Sequence, residues 1–162
     1  MLLCISYACW EGHTSVVNTL AQHGADIEIK ANRGMQPIHC AAHNGHAETV
    51  STLIQLGIDV NCTDNHADTP LYYASEAGHV DVVETLLRNG ANTNITTHSM
   101  QSTHTAAIEG HFSILKKLIE YGADIEATMG DSQDTLLHLA VLNDHKDIIE
   151  WQGGIRRPIL DP

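Results

Sequence analysis

The fold is decided by residues 64–94, which read DNHADTPLYYASEAGHVDVVETLLRNGANTN. Thr69-Pro70 is typical of a helix start, because proline's fixed φ and missing N–H suit the first helical turn. Gly78 can adopt the left-handed conformation that ends such a helix. A second helix is predicted by apolar residues at helical spacing, Val82, Val83, Leu86 and Leu87. Gly90 ends this helix, so the stretch predicts two short helices followed by a turn.

The same pattern recurs along the chain. The dipeptide Gly-His begins at residues 12, 45, 78 and 110, and Asp144-His145 takes its place in a fifth copy, giving steps of 33, 33, 32 and 34 residues. A second glycine recurs at 24, 57, 90 and 122. Two glycine series locked in phase indicate an internal repeat. We therefore predict a repeat domain at 1–152, with a partial repeat at 1–30, repeats at 31–63, 64–96 and 97–128, a partial repeat at 129–152, and an irregular C-terminal tail at 153–162.

The repeated unit resembles the ankyrin repeat, whose signature includes Thr-Pro-Leu-His-x-Ala. The matching segments read QPIHCA at 36–41, TPLYYA at 69–74 and TLLHLA at 135–140, and the loop sequence GADI occurs at 24–27 and 122–125. The resemblance covers residues 3–151. It implies an all-α solenoid of helix–turn–helix units with projecting β-hairpin loops, acting as a non-catalytic scaffold or adaptor that binds a protein partner on its concave face and hairpin tips. The alternative is the recognition arm of a larger enzyme, channel or ubiquitin-ligase adaptor.

The pattern is irregular in one repeat and at both ends. QSTHTA at 101–106 replaces the signature in repeat four, so we expect that repeat to be the least stable. Leu2, Leu3 and Ile5 are expected to face the end of the stack, where polar capping residues are normal. Gln152-Gly153-Gly154 stands where the last helix would carry leucines. From these ends we expect the chain to be a piece, or an alternative product, of a longer ankyrin-repeat protein.

Composition excludes several classes of function. The 162 residues contain 8 Lys+Arg and 20 Asp+Glu, a net charge of −12, and no basic stripe, which excludes nucleic acid as a partner. The acidic balance predicts a protein partner with a basic or mixed-charge surface. Four cysteines without a CxxC pair, no leader pattern and no long apolar run predict an intracellular protein, cytoplasmic or alternatively nuclear, without membrane insertion. We expect the isolated module to be a monomer.

Twelve histidines are more than Lys and Arg together. Eight of them occupy two repeated positions, His39, His104 and His138 in the signature and His13, His46, His79, His111 and His145 after the glycine. This placement favours a structural role. His39 and His43, at i and i+4, have a spacing compatible with metal ligands, so a small metal-binding protein is a second alternative. Motifs for a catalytic nucleophile, a phosphate loop or a zinc hydrolase do not occur, so we predict no enzyme, no cofactor and no bound metal.

The resemblance also assigns a partner-binding surface, since ankyrin proteins usually contact partners through hairpin tips and the exposed side of the first helix. The corresponding residues are Trp10, Glu11, Asn32, Arg33, Met35, His43, Asn44, Asn65, His66, Asp68, Glu76, His98, Met100, Ile108, Glu109, Leu142 and Asn143. Five of these form a predicted apolar contact strip, Trp10, Met35, Met100, Ile108 and Leu142. The alternative is that they are single exposed apolar residues, which are normal on protein surfaces.

Two asparagines are candidate hydroxylation sites by the same resemblance. Asn61 and Asn94 occupy the hairpin asparagine of the repeat, each with a leucine eight residues earlier. The other interpretation is a side chain that stabilises the turn.

Overall fold

The computed structural model describes residues 3–97, 100–130 and 133–155. Five helices begin the successive units: α1 (Cys4–Trp10), α3 (Pro37–His43), α5 (Pro70–Ala77), α7 (Ser102–Ile108) and α9 (Leu136–Leu142). Each is followed by a second helix: α2 (Thr14–Gln22), α4 (Ala47–Gln55), α6 (Val80–Arg88), α8 (Phe112–Glu120) and α10 (Lys146–Ile155). First helices pack on neighbouring first helices, and α2, α4, α6 and α8 pack in the same order. The predicted all-α solenoid is confirmed.

The loops between the pairs carry little sheet. Strand β1 (Thr128–Met129) pairs antiparallel with β2 (Asp134–Thr135), with Thr128 opposite Thr135. A 3₁₀ turn lies at Asn32–Gly34, and Thr97 and Met100 form an isolated antiparallel bridge. At the other end, α10 continues to Ile155, so residues 153–155, which we assigned to the irregular tail, are helical. Buried Gln152 belongs to that last turn, and residues 156–162 lie outside the described part of the chain.

The core has no single centre. Small residues let first helices approach closely, and Ala41, Ala74, Ala106 and Ala140 are all fully buried. Aliphatic residues of the second helices, Leu53, Leu86 and Leu118, are buried in the same way. Each helix pair therefore buries its apolar face chiefly against its neighbours, which is the physical basis of a solenoid.

The expectation for Ile5 is wrong. Ile5 is buried in the core, because its i, i+3, i+4 spacing with Ala8 and Cys9 puts it on the inner face of α1. Leu3 is half exposed, and Leu2 lies outside the described residues.

Histidines after the glycines join each helix pair to the one before it. Nε2 of His46 lies 2.9 Å from the carbonyl oxygen of Trp10, and because a carbonyl only accepts, the imidazole donates. The same bond runs from His79 to His43 (3.0 Å), from His111 to Glu76 (3.2 Å) and from His145 to Ile108 (2.7 Å). In every case the acceptor stands two residues before the repeat's Gly-His glycine, or before its equivalent. We call this series the histidine ladder.

The ladder also explains the first glycine series. Gly78 has φ 81°, and a Cβ added there would lie 2.7 Å from Cε1 of His111. The imidazole of the next pair fills the space that a side chain would need. Gly90, in the second series, has a similar φ of 87°, but an added Cβ would meet nothing within 4 Å. Gly78 is therefore required by backbone conformation and by contact, whereas Gly90 is required by conformation alone.

This difference is testable with matched alanine variants. Gly90→Ala places a side chain in the left-handed region and is expected to lower the free energy of unfolding by about 1 kcal/mol. Gly78→Ala adds an overlap with His111 and should cost at least about 2 kcal/mol more. Urea unfolding of both variants beside the wild type measures the difference. Equal losses would contradict a role for the imidazole contact.

Repeat four keeps its first helix although it lacks the signature. The backbone N–H of Gln101 donates to Nδ1 of His104 at 3.0 Å, closing the first turn of α7 as Gln36 and His39 do in α3. Thr103 occupies the position that Ile38 holds in repeat two and is fully buried. Among the described residues its hydroxyl has no hydrogen-bond partner. An unpaired buried hydroxyl costs free energy, which supports the prediction that repeat four is the least stable.

Removing this hydroxyl should stabilise the protein. Thr103→Val keeps the side-chain shape and is expected to raise the free energy of unfolding by about 1 kcal/mol. The control is Thr49→Val, since Thr49 is equally buried but its hydroxyl lies 2.9 Å from that of Thr14. That variant should give no gain. A loss of stability in Thr103→Val would show that the hydroxyl is satisfied in solution.

Candidate partner-binding surface

A groove of about 590 Å³ lies along α1 and the loop that follows α2. It is lined by Leu3, Ser6, Tyr7, Trp10, Glu11, Lys30, Ala31, Asn32, Met35 and Cys40. Four of the predicted partner-binding residues, Trp10, Glu11, Asn32 and Met35, therefore meet at one place. The prediction missed Leu3, Tyr7 and Lys30. The i, i+4, i+7 spacing of Leu3, Tyr7 and Trp10 was the signal that identifies the exposed apolar stripe of α1.

A row of side chains runs from this groove along the ends of the first helices. The ring centroids of Trp10 and His43 are 5.7 Å apart, and His43 meets Tyr73 edge-on at 5.7 Å. The row consists of the residues two before each first-series glycine or its equivalent, Trp10, His43, Glu76, Ile108 and Leu142. We call it the helix-end row. Because the carbonyls of the first four accept the ladder bonds, the ladder fixes the spacing of this row.

The predicted apolar strip follows this row only in part. Glu76 lies between His43 and Ile108, so a carboxylate separates the apolar members. Met35 and Ile108 are half-buried and pack against the core, and Leu142 is largely exposed at the far end. The apolar surface is therefore concentrated at the groove around Trp10 and at Leu142.

The asparagines and glutamates beside this row have two kinds of environment. The amides of Asn44 and Asn143 donate to the carbonyls of Cys40 (2.9 Å) and Leu139 (2.8 Å), so they close the ends of α3 and α9. Glu109 is exposed, as Glu11 is. The exposed carboxylates of the glutamates are therefore available to a partner, while the asparagine amides are hydrogen-bonded within their own helices.

The loop residues of repeats two and three lie side by side. Arg33, Asn32, Asn65 and His66 are exposed, and the backbone N–H of Asn65 donates to the carbonyl of Arg33 at 2.8 Å. Arg33 has φ 62°, a conformation set by the tight 3₁₀ turn. This backbone bond holds the two loop tips together as one surface.

Asp68 and, in the next loop, Met100 are less exposed than these loop tips. Asp68 is buried, so its carboxylate is not a surface group. Met100 is half-buried and pairs through its backbone with Thr97, and His98, between them, lies outside the described residues.

A buried carboxylate that sequence reasoning missed anchors the loop of repeat three. Oδ1 of Asp64 accepts from the backbone N–H groups of His66 (2.8 Å) and Asp68 (3.0 Å), and Oδ2 accepts from the Tyr73 hydroxyl at 2.8 Å. Burial disfavours the charged form of Asp64, but the hydrogen bonds from Tyr73 and the backbone outweigh it and lower the pKa. Burial and the bond to Asp64 raise the pKa of Tyr73. The pair stabilises the loop.

The signature histidines are engaged in hydrogen bonds. In His39, Nδ1 accepts from the N–H of Gln36 at 3.1 Å, so Nε2 carries the proton and donates to the carbonyl of Cys62 at 3.2 Å. His104 repeats this arrangement with Gln101 and Ala127. Burial lowers the pKa of both imidazoles, which favours the neutral form that this bonding needs.

The metal-binding alternative finds little support around His39. Both of its ring nitrogens are occupied, and burial raises the pKa of the neighbouring thiol of Cys40 to about 11. Within residues 3–97, 100–130 and 133–155, no group of three His, Cys, Asp or Glu side chains is arranged to hold a metal ion.

The two candidate hydroxylation sites have different surroundings. The amide of Asn61 donates to the carbonyl of Gly90 (3.3 Å), and its Oδ1 accepts from the N–H of Asn92 (2.8 Å). Asn61 thus links two successive loops. Asn94 is exposed, and its backbone N–H donates to Oδ1 of Asn92 at 3.0 Å.

The buried histidines predict how stability depends on pH. The pKa values of His39 and His104 lie below 6.5 when folded, so the unfolded chain binds more protons between those values and 6.5. The two neutral imidazoles contribute fully to the free energy of unfolding above about pH 6.5. This contribution declines as the pH falls from about 6.5 toward their folded-state pKa values. Urea unfolding between pH 5 and 8, with NMR titration of both rings, measures this. A free energy of unfolding that rises on acidification would contradict it.

Comparison with known proteins agrees with this architecture. The family model "Ankyrin repeats (3 copies)" matches residues 5–97, and the model "Ankyrin repeats (many copies)" matches residues 104–151. A search of curated proteins returned no match. No helix in the described part of the chain is long and apolar enough to span a membrane. Ankyrin repeats are in general protein–protein interaction modules. With five stacked helix pairs in the part of the chain that the structure describes, a repeated histidine ladder and matches over most of its length, the chain belongs to the ankyrin-repeat family.

Proposed function

We propose that this chain is a non-catalytic module that binds a protein partner along the helix-end row and the adjoining loops. The observation that carries the proposal is the groove at α1, where Trp10 is 42% exposed beside Met35 and Tyr7. Exposed Trp and Met are enriched at the centres of protein interfaces. The groove is large enough to receive an apolar side chain of a partner.

Rigidity supports the same proposal. The ladder bonds from His46 and His79 hold the backbone at Trp10 and His43, and the rings of these two residues lie 5.7 Å apart with their planes tilted by 35°. A surface that is already ordered loses little conformational entropy when it binds. The binding free energy is then available for contact with the partner.

The charge pattern indicates the chemistry of the partner. Glu11 and Glu109 are exposed and Glu76 is half-buried along the row, whereas Lys30 lines the groove and Arg33 lies on the adjacent loop tip. A partner with an apolar anchor and a basic or mixed-charge surround fits this pattern. Such association is steered electrostatically and weakens as salt increases.

The free cysteines bear on the compartment, and the helix-end row bears on the alternative roles. Free Cys4, Cys9, Cys40 and Cys62 suit a reducing compartment, so we place the module in the cytoplasm or nucleus. As the recognition arm of a larger enzyme, channel or ubiquitin-ligase adaptor, it would use the same row. The metal-binding role is disfavoured by the bonds at His39.

A matched pair of variants tests the binding surface. Trp10→Ala should lower affinity for the partner at least about 30-fold, as expected for a hot-spot tryptophan. Tyr121→Ala is the control, because Tyr121 is 45% exposed but stands at the end of the second helix α8. Proteins captured from cell extract by the wild type and the control, but lost with Trp10→Ala, identify the partner, and titration with that purified protein gives the affinities. Equal capture by all three would refute the proposal.

A further inference from the structure

Three side chains of the first helix pair are exposed although their equivalents in all the other pairs are buried. Tyr7 is 69% exposed, whereas the residues at its repeat position, Cys40, Tyr73, Thr105 and Leu139, do not exceed 9%. Val16 is 45% exposed, whereas Thr49, Val82, Ile114 and Ile148 do not exceed 1%. Cys4 is exposed where Pro37, Pro70, Ser102 and Leu136 are buried. We call Cys4, Tyr7 and Val16 the N-terminal face.

In the other pairs these positions contact the preceding helix pair. The Tyr73 ring meets those of His39 and His43, at centroid distances of 5.9 and 5.7 Å. The Thr49 hydroxyl lies 2.9 Å from the hydroxyl of Thr14 on α2. The N-terminal face is therefore the same half of a junction that the chain builds four times internally.

We propose that the N-terminal face is a docking surface for one further helix pair of the same kind. Such a pair would cover Tyr7 and Val16 with the ends of its first and second helices. Exposed His13 stands at the ladder position, ready to donate to the carbonyl two residues before the glycine of the docked pair. Tyr7 also lines the α1 groove, so docking would cover that edge of it, whereas Trp10 contacts His43 of the following pair, away from the docked unit.

The glycine that faces the ladder histidine at each junction distinguishes a further helix pair from a second copy of the chain as the occupant. At the internal junctions a Cβ on the glycine would come within 2.4–2.7 Å of the ladder histidine of the next pair. The last pair carries Asp144 at that position, with φ 58° and a Cβ in place. A second copy docked head to tail would bring its His13 into Asp144. The partner unit is therefore a helix pair that retains the glycine.

A fusion supplies such a unit in register. A second copy of residues 37–66 placed directly before Met1 keeps the 33-residue step, since residue 67 corresponds to Met1. The Gly45 of the fused copy then faces His13. Burial of Tyr7 and Val16 should slow hydrogen exchange of α1 and α2 amides about 10- to 100-fold. The matched control is the same fusion with Gly45→Asp in the fused copy only, which should lose most of this protection.

The remaining outcomes are decisive as well. No added protection in the fusion, or the same protection with the aspartate control, would overturn the proposal. Sedimentation of the unmodified chain over a concentration series is expected to show a monomer. Chains of copies, or a dimer abolished by Tyr7→Glu, would assign the N-terminal face to a second copy instead.

Discussion

The structure depends on one junction, in which an imidazole from one helix pair fits against the glycine of the preceding pair and donates to a carbonyl near it. His111 shows all its parts, with Gly78 in a left-handed conformation and the carbonyl of Glu76 as acceptor. Because short helices of seven to ten residues are marginal on their own, this contact has to fix both their spacing and their register. A surface built on such junctions inherits their regularity, which is why the helix-end row follows the ladder.

The same constraint explains how much of the fold could be predicted from the sequence. A junction that recurs in the structure gives a periodic pattern in the sequence. The repeated glycines, histidines and alanines were therefore enough to predict the helix pairs and the family. Where a residue acts within one repeat only, no period reveals it. Asp64 is such a case, because its bond to Tyr73 needs an aspartate and a tyrosine together, and in repeat two these positions hold Ala31 and Cys40. Ile5 was misplaced for a related reason, since the end of a stack was inferred from position along the chain rather than from helical phase.

The sequence predicted where the residues of the candidate surface lie, but only partly which of their side chains are available to a partner. The repeat pattern placed Trp10 and Met35 on one side of the stack, but it did not predict their shared groove, which depends on how the loop containing Lys30 lies against α1. Asn44 shows the opposite limit. It stands at a surface position, yet its amide is committed to the helix end. Whether a polar residue is available to a partner is decided by local hydrogen bonds, which the repeat pattern does not encode.

The two ends of the stack differ in which half of the glycine–histidine junction they carry. Asp144 takes the glycine position with φ 58° and carries a Cβ, whereas a Cβ on the glycines of the internal junctions would overlap the ladder histidine. At the other end His13, Tyr7 and Val16 retain the receiving half of the junction, and no corresponding substitution obstructs it. An apolar face of this kind costs free energy in water until it is covered. The first and last helix pairs therefore differ: the last lacks the junction glycine, whereas the first keeps the ladder histidine on an exposed face, directly beside the proposed partner groove.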